Sequence, residues 1–299
     1  MSQAKFTPLQ DVDRTPTYFN LGSYSCPVTT DSHIAQGWFD RGLAWIYGYN
    51  HEEAVICFEN GLKADPNLVM AHWGIAYAVG PNYNRWWETF SKEDKRSALS
   101  RAHQELQAAN RLKYALTDVE IALIEALQTR YPTNPGVDDI SPWSDAYGNA
   151  MRAVYKRYPN NLEVSTLFAE ALMNRTPWKL WDLKTGGVPE GADTKEVIDA
   201  LERAFAEVPG AWDHAGLLHL YIHVMEMSPH PERALRHGDR LAQLMPDSGH
   251  LWHMPTHIDV LCGHYQTVIE RNSRAIEADR KFLALRGADN FYSYYRSHN

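Results

Sequence analysis

The stretch from residue 38 to 66 restricts the possible fold more than any other part of this sequence. It reads WFDRGLAWIYGYNHEEAVICFENGLKADP, with large and small apolar residues at helical spacings. Small residues at Gly42 and Ala54 let two neighbouring helices approach closely, and a large residue such as Trp45 fills the space beside them. Pro66 ends the second helix because proline has no amide hydrogen to donate. The stretch therefore predicts a closely packed pair of antiparallel helices.

Helix signals continue along the rest of the chain. Ser91 precedes a helical segment, TDVE at 117–120 is a capping box, and Asp193 with Glu196 opens another helix in the same way. No segment shows the period-two alternation of a half-buried strand. The predicted fold class is all-α. A 3.6-residue periodicity marks further helices at 145–157, 160–173, 211–227, 231–244, 251–262 and 265–283.

Composition excludes several functional classes. The chain has 299 residues, 44% of them apolar, which is enough for a continuous core. A net charge of -8 argues against a nucleic-acid partner, because phosphate binding needs clustered basic residues. Three cysteines without a C-x-x-C spacing indicate neither a disulfide framework nor a thiolate zinc site. Without a long apolar run or a secretion signal, the sequence predicts a cytoplasmic protein with no membrane partner.

Five segments resemble a group of tetratricopeptide-repeat (TPR) proteins of bacteria and fungi, most of them of unknown function. The resemblance spans about residues 20–299 and implies a right-handed α-solenoid of antiparallel helix pairs. Residues 1–30 are then an extended N-terminal arm, and residues 31–299 form a single helical-repeat domain that continues beyond the present C-terminus. The repeat pattern is carried by Trp38, Gly42, Trp45, Ala54, Phe58 and Pro66. The five segments are AQGWFDRGLAWIYGYNHEEAVICFE, MAHWGIAYAVGPNYN, ALMNRTPWKLWD, HLYIHVMEMSPHPERAL and GHLWHMPTHIDVLCGHY.

Histidines are concentrated in one part of the chain, since nine of the 14 lie between His214 and His264. In HLYIHVME, the side chains of His219, His223 and Glu226 fall within roughly a 60° arc of one helix face. An i, i+4 pair of histidines can reach a single metal ion. The carboxylate one turn later is a candidate third ligand or general base, and we assign it the catalytic role.

A second histidine set surrounds a proline in GHLWHMPTHIDV. His250, His253 and His257 also lie within roughly a 60° arc if the segment is helical. Pro255 favours a helix that starts at Met254 or Pro255, which leaves His250 and His253 in the turn before it. Two such faces, on helices separated by one other helix, can converge on a metal site. The alternative is a neutral network of buried histidines.

The predicted histidine and carboxylate ligands could bind Fe, Cu or Zn and do not distinguish among these metals. Two histidines with one carboxylate are typical of non-haem iron oxygenases, whereas six histidines could hold a copper pair. The surrounding Trp and Tyr residues favour a redox metal. A small-molecule pocket next to the metal is expected from His51 and Glu52, from the NRTPWKLWD loop, and from the histidine that precedes HLYIH. The loop and upstream candidates are Asn174, Trp178, Trp181, Asp182 and His214.

Three other histidines, His230, His237 and His264, lie in polar settings and are predicted to be on the surface. His298 is a candidate ligand only if the C-terminal tail folds back.

Two functions remain open. The first is a metal-dependent oxidoreductase or oxygenase that acts on a small organic substrate, with the two histidine sets as ligands. The second is a repeat scaffold that binds a peptide or partner protein in a concave groove, with structural histidines. Assembly into a homo-oligomer is compatible with either function. Peptide-carboxylate scaffolds carry Lys, Arg and Asn on the inner helix faces. In HLWHMPTHIDV these positions are imidazole and apolar, which favours the enzyme.

Overall fold

A computed structural model describes residues 18–131 and 141–299 of the chain. The described residues form helices joined by turns and contain no β-strand, only an isolated bridge between Asn82 and Arg85. The all-α prediction is therefore confirmed for these residues. None of the helices in the two described ranges has the length and apolar character needed to cross a membrane.

The helices pack mostly against their neighbours in sequence. Short 3₁₀ turns lie at Trp87–Thr89, Lys113–Ala115, Ala211–Asp213 and Pro231–Ala234. The α-helices are α1 (His33–Tyr47), α2 (His51–Ala64), α3 (Val69–Ala78), α4 (Lys92–Leu112), α5 (Asp118–Gln128), α6 (Ser141–Arg157), α7 (Leu162–Met173), α8 (Thr194–Glu207), α9 (Ala215–Met225), α10 (Leu235–Leu241), α11 (Gly249–His253), α12 (Pro255–Leu261), α13 (Tyr265–Arg286) and α14 (Ser293–His298).

The α1–α2 pair packs as its sequence predicts. The ring of Phe58 on α2 is fully buried and lies against Gly42 of α1 and Gly74 of α3. A Cβ atom at either glycine would overlap this ring, so the close approach of three helices depends on both. Helix α2 ends at Ala64, two residues before Pro66.

The predicted helix starts were partly right. Ser91 caps α4 by accepting a hydrogen bond from the amide of Asp94 at 3.0 Å, and Thr117 with Glu120 forms the expected capping box of α5. Helix α8 begins directly after Asp193, as predicted, but the predicted capping hydrogen bond of the Asp193 side chain is absent. Its carboxylate accepts hydrogen bonds from the guanidinium groups of Arg152 and Arg175 instead, and these charged donors are stronger partners than a backbone amide.

The beginning and the end of the described chain meet. Helix α1 contacts α9, and the guanidinium of Arg286 at the end of α13 pairs with the Glu53 carboxylate of α2 at 2.7 Å. The amide of Phe291 donates to Glu52 at 2.8 Å. Residues 18–32 precede the first helix without regular structure, and Phe19 stacks on Phe282 of α13. The turn between α1 and α2 therefore faces α9 and the C-terminal helices.

Pro255 divides the histidine-rich segment into two short helices. Helix α12 begins at Pro255, as the sequence predicts. The preceding residues form the five-residue helix α11 rather than a turn, so His250 and His253 both lie on a helix. The proline, at the first position of α12, needs no amide donor there.

Candidate metal centre

Three histidines from two helices form a buried cluster, called here the first triad. His219 and His223 project from α9 and His250 from α11, and one ring nitrogen of each lies within 4.8 Å of the others. The Nε2 atoms of His219 and His250 are 3.2 Å apart. Two helix faces that the sequence predicted to converge are thus brought together.

Outer hydrogen bonds orient the rings of α9. The Nδ1–H of His219 donates to the backbone carbonyl of Tyr47 at 2.7 Å, and the Nδ1–H of His223 donates to Glu226 Oε1 at 2.8 Å. Both partners are pure acceptors, so Nδ1 carries the hydrogen and Nε2 carries the lone pair. This is how metal-ligating histidines are usually held in proteins.

A second triad lies beside the first. It consists of His253 of α11, His257 of α12 and His298 of α14, again with ring nitrogens within 4.8 Å of one another. The Nδ1–H of His253 donates to Asn272 Oδ1 at 2.8 Å, and that of His257 donates to Glu226 Oε2 at 2.5 Å. The C-terminal tail therefore folds back onto the histidine-rich helices. His298 is a candidate ligand, because the sequence made this role depend on such folding.

Glu226 connects the two triads. One carboxylate oxygen accepts from His223 and the other from His257. Burial alone would raise the pKa of Glu226, but the interactions of its carboxylate with His223 and His257 outweigh burial and lower the pKa to about 2. The group is a carboxylate at neutral pH. It lies on the Nδ1 side of both rings, away from the converging Nε2 atoms.

The facing nitrogens are close enough to share either a proton or a cation. In the second triad, the Nε2 atoms of His253 and His257 are 3.0 Å apart, and both Nδ1 atoms already hold the ring hydrogen. Two unprotonated lone pairs repel each other at this distance. Two imidazoles on one tetrahedral ion place their nitrogens about 3.4 Å apart, from a metal–nitrogen distance of about 2.05 Å.

Burial keeps several of these imidazoles neutral. It lowers the pKa of His219 and His250 well below the usual range of histidine, and the pKa of His253 to about 4. Metal binding requires the unprotonated ring, so the surroundings maintain the form that binds. Both triads could hold a metal ion.

Aromatic rings cover the first triad. The ring centroid of Tyr49 lies 4.5 Å from His219, 5.6 Å from His223 and 5.4 Å from His250. The Tyr83 ring lies 5.0 Å from His223 and stacks on Trp178. Sequence reasoning missed both tyrosines, although Tyr49 stands two residues before a candidate, His51.

The predicted pocket residues fall into two groups in the structure, some near the first triad and others elsewhere. His51 and Glu52 line a cavity next to Tyr49. Trp178 lies 6.2 Å from His223, ring to ring, and Asn174 is buried at the end of α7. His51, Glu52 and Trp178 therefore lie near the first triad or its tyrosine cover, whereas no contact connects Asn174 to either.

The remaining three candidates have local structural contacts. Trp181 Nε1 donates to the carbonyl of Val224 at 2.6 Å, and the Asp182 carboxylate accepts the amides of its own turn. His214 caps α9, where its Nδ1 accepts the Leu217 amide at 3.2 Å. None of the three is brought into either triad.

His230 and His264 are exposed, as predicted, but the surface assignment of His237 is wrong. Its ring is buried among aromatic rings, with centroid distances of 4.0 Å to Tyr221, 4.7 Å to Phe205 and 4.8 Å to Trp212. Because the neighbours of His237 in the sequence are polar, the sequence does not reveal the aromatic side chains that surround it in the fold.

Comparison with known proteins gives no further assignment, because no model of a known protein family matches the chain and no curated protein matches it. The functional conclusion therefore depends on the chemistry of the two triads.

Proposed function

We propose that this protein is a metal-dependent oxidoreductase with two transition-metal ions, one in each histidine triad. The observation that carries the proposal is the convergence of six imidazoles into two adjacent triads. In each triad two rings are fixed by hydrogen bonds at one nitrogen, which directs the other nitrogen inward. The alternative is a hydrogen-bonded network of structural histidines, which would bind no metal.

The position of Glu226 favours two ions over a single iron held by two histidines and a carboxylate. Both of its oxygens accept ring N–H groups, at 2.8 Å from His223 and 2.5 Å from His257. We therefore assign Glu226 a positioning role. It orients one ligand in each triad and raises the basicity of both rings.

All-imidazole triads suit copper, and also bind zinc or iron. We favour copper because two adjacent one-electron ions can together accept two electrons. In the proposed overall reaction, an organic substrate loses two electrons and two protons, and dioxygen takes them up to give hydrogen peroxide. Copper ions held by the two triads would supply this one-electron chemistry.

We further propose that the scaffold is TPR-like, as the sequence resemblance implies. The packing of Phe58 between Gly42 and Gly74 supports this part of the proposal. The scaffold alternative, in which a groove binds a peptide, has less support. The burial of His219, His223 and His250 fits structural histidines as well as metal ligands, so the metal content decides between the two functions.

Metal analysis tests the proposal. Protein purified without a polyhistidine tag should contain two ions per chain after loading with copper, and the double variant His223→Ala/His257→Ala should contain none. The variant His264→Ala, which changes an exposed histidine outside both triads, is the matched control. Loaded protein should also give the electron paramagnetic resonance of coupled Cu(II) ions. Substoichiometric metal under all loading conditions, or stable binding of zinc alone, would overturn the proposal.

A further inference from the structure

A cavity of about 270 Å³ lies between the α1–α2 turn and the segment that leads into α14. Its volume is enough for a small organic molecule, near the lower end of the usual range for ligand sites. Tyr49, the residue whose ring covers the first triad, is part of its wall. The lining also includes Glu52, Val55, Phe90, Phe291 and Tyr292.

Glu52 contributes a carboxylate to this wall, and the residue is exposed. Its Oε2 atom accepts the backbone amide of Phe291 at 2.8 Å, and no cationic side chain of the described ranges pairs with either oxygen. The neighbouring Glu53, in contrast, is buried and pairs with Arg286 at 2.7 Å. Glu52 can therefore accept a hydrogen bond from a bound cation.

The other charged groups of the cavity wall are already paired. Arg85 donates to Asp94 at 3.2 Å. Arg101 donates to Glu59 at 2.8 Å and to Glu105 at 2.7 Å. Three carboxylates thus face the two guanidinium groups, and neither guanidinium is left over to neutralise a bound anion.

The approach to the cavity from solvent is also acidic. A surface cleft adjoins the cavity and shares Glu52, Arg85, Asp94 and Phe291 with it. The cleft is further lined by Asp289, which is exposed. An approach with an excess of carboxylates attracts cations and repels anions.

The buried part of the wall is apolar. Ala78, Phe90 and Ala98 line the cavity and are each at most 7% exposed. The guanidinium of Arg85 already lies over the rings of Phe90 and Phe291, with its Cζ 4.3 Å and 4.2 Å from their centroids. These two rings therefore have a cation of their own, and the second cation is directed to the unpaired carboxylate.

This division of the wall suits a molecule with a charged end and a hydrocarbon end. An ammonium group beside the exposed Glu52 keeps part of its hydration, so its charge costs less there than in the buried part. The hydrocarbon end enters the apolar part. A carboxylate in the same position would meet a like charge.

From this arrangement we infer that the cavity binds a small primary amine in its ammonium form. The ammonium donates to Glu52, and the hydrocarbon body packs against Val55, Phe90 and Tyr292. Loss of two electrons and two protons from its carbon–nitrogen unit converts such an amine into an imine, in keeping with the overall reaction proposed above. That the amine is the substrate rests on the proposed function, whereas the binding itself does not.

Calorimetric titration of the protein as purified, without dioxygen, tests the inference with three probes of similar size. Benzylammonium should bind at least about 10-fold more tightly than benzyl alcohol, the effect of one hydrogen bond between charged groups, and benzoate should bind most weakly. Added salt should weaken the binding of benzylammonium but not that of benzyl alcohol.

Glu52→Gln removes the charge and keeps an oxygen that can accept the Phe291 amide. This variant should bind benzylammonium about 10-fold more weakly and benzyl alcohol as the wild type does. The matched control is Glu190→Gln, which removes the same charge at an exposed position that does not line the cavity. It should bind benzylammonium as the wild type does.

A cavity-filling variant, Val55→Phe, shows whether the amine binds in this cavity, because Val55 lines it. It should abolish the binding of benzylammonium and leave the metal content unchanged. Binding of benzoate or benzyl alcohol as tight as that of benzylammonium, or benzylammonium binding that Glu52→Gln or Val55→Phe leaves unaltered, would overturn the inference. Metal content measured on the same samples separates this result from a failure of the proposed metal centre.

Discussion

The two triads have the same ligand chemistry in different surroundings. The first is enclosed, with the His223 side chain fully buried and Tyr49 over all three rings. The second is open on one side, with the His257 side chain 21% exposed and His298 at the surface. Because water reaches only one of them, we expect the two ions to differ in exchange rate and in redox potential.

A single carboxylate orients one histidine ring in each of these two environments. Glu226 contacts a fully buried ring with one oxygen and a partly exposed ring with the other. We expect the enclosed triad to exchange a bound ion slowly. The open triad is suited to meet small reactants such as dioxygen from solvent.

The largest predicted effect comes from removing one ligand of each triad in turn. His223→Ala should remove the enclosed ion and lower turnover at least about 100-fold, because losing a ligand costs at least as much as losing one of its outer partners. His298→Ala should remove only the second ion and leave the melting temperature close to that of the wild type. Metal counting and thermal melts on both variants check this. Loss of both ions from His298→Ala would show that the triads are not separate sites.

A smaller effect is expected from the residue that the triads share. Glu226→Gln keeps the shape of the side chain but removes its charge, and the amide cannot accept from both rings. We expect metal affinity to fall about 10- to 100-fold at both sites, the usual effect of losing an outer partner of a ligand. Competition with a chelator of known affinity measures each site. An effect confined to one triad would contradict the shared role.

The smallest effect concerns Glu170 on α7, which is buried and whose pKa burial raises to about 8. The folded state therefore holds a proton that the unfolded chain releases near pH 4.5, and stability falls as the pH rises from about 4.5 to 8. Between pH 5 and 8 the wild type should lose a few degrees of melting temperature more than Glu170→Gln does. Parallel pH profiles of the two proteins measure this, and identical slopes would refute it.

Local signals in the sequence predicted local structure well. The capping box of Thr117 with Glu120 and the start of α12 at Pro255 need only a few neighbouring residues, and both were predicted. The failure at Asp193 has a different origin. Its partner Arg152 lies 41 residues away, and no helix-capping rule includes such a competitor.

The site was predictable to the extent that it follows helix periodicity. The i, i+4 spacing of His219 and His223 correctly placed both rings in one cluster. His250 and His253, in contrast, join different triads although they lie one turn apart. Their assignment depends on how α11 packs against α9 and α14. His298 was left conditional for the same reason, since only tertiary contacts bring the tail back.

The hydrogen bond from His219 to the carbonyl of Tyr47 spans 172 positions in the sequence. During synthesis, Tyr47, whose carbonyl orients the ring of His219, therefore leaves the ribosome long before His219 does. The second triad is incomplete until residue 298 has emerged. Each triad therefore forms only after helices that are distant in the sequence have packed together, so we expect metal binding to depend on tertiary folding.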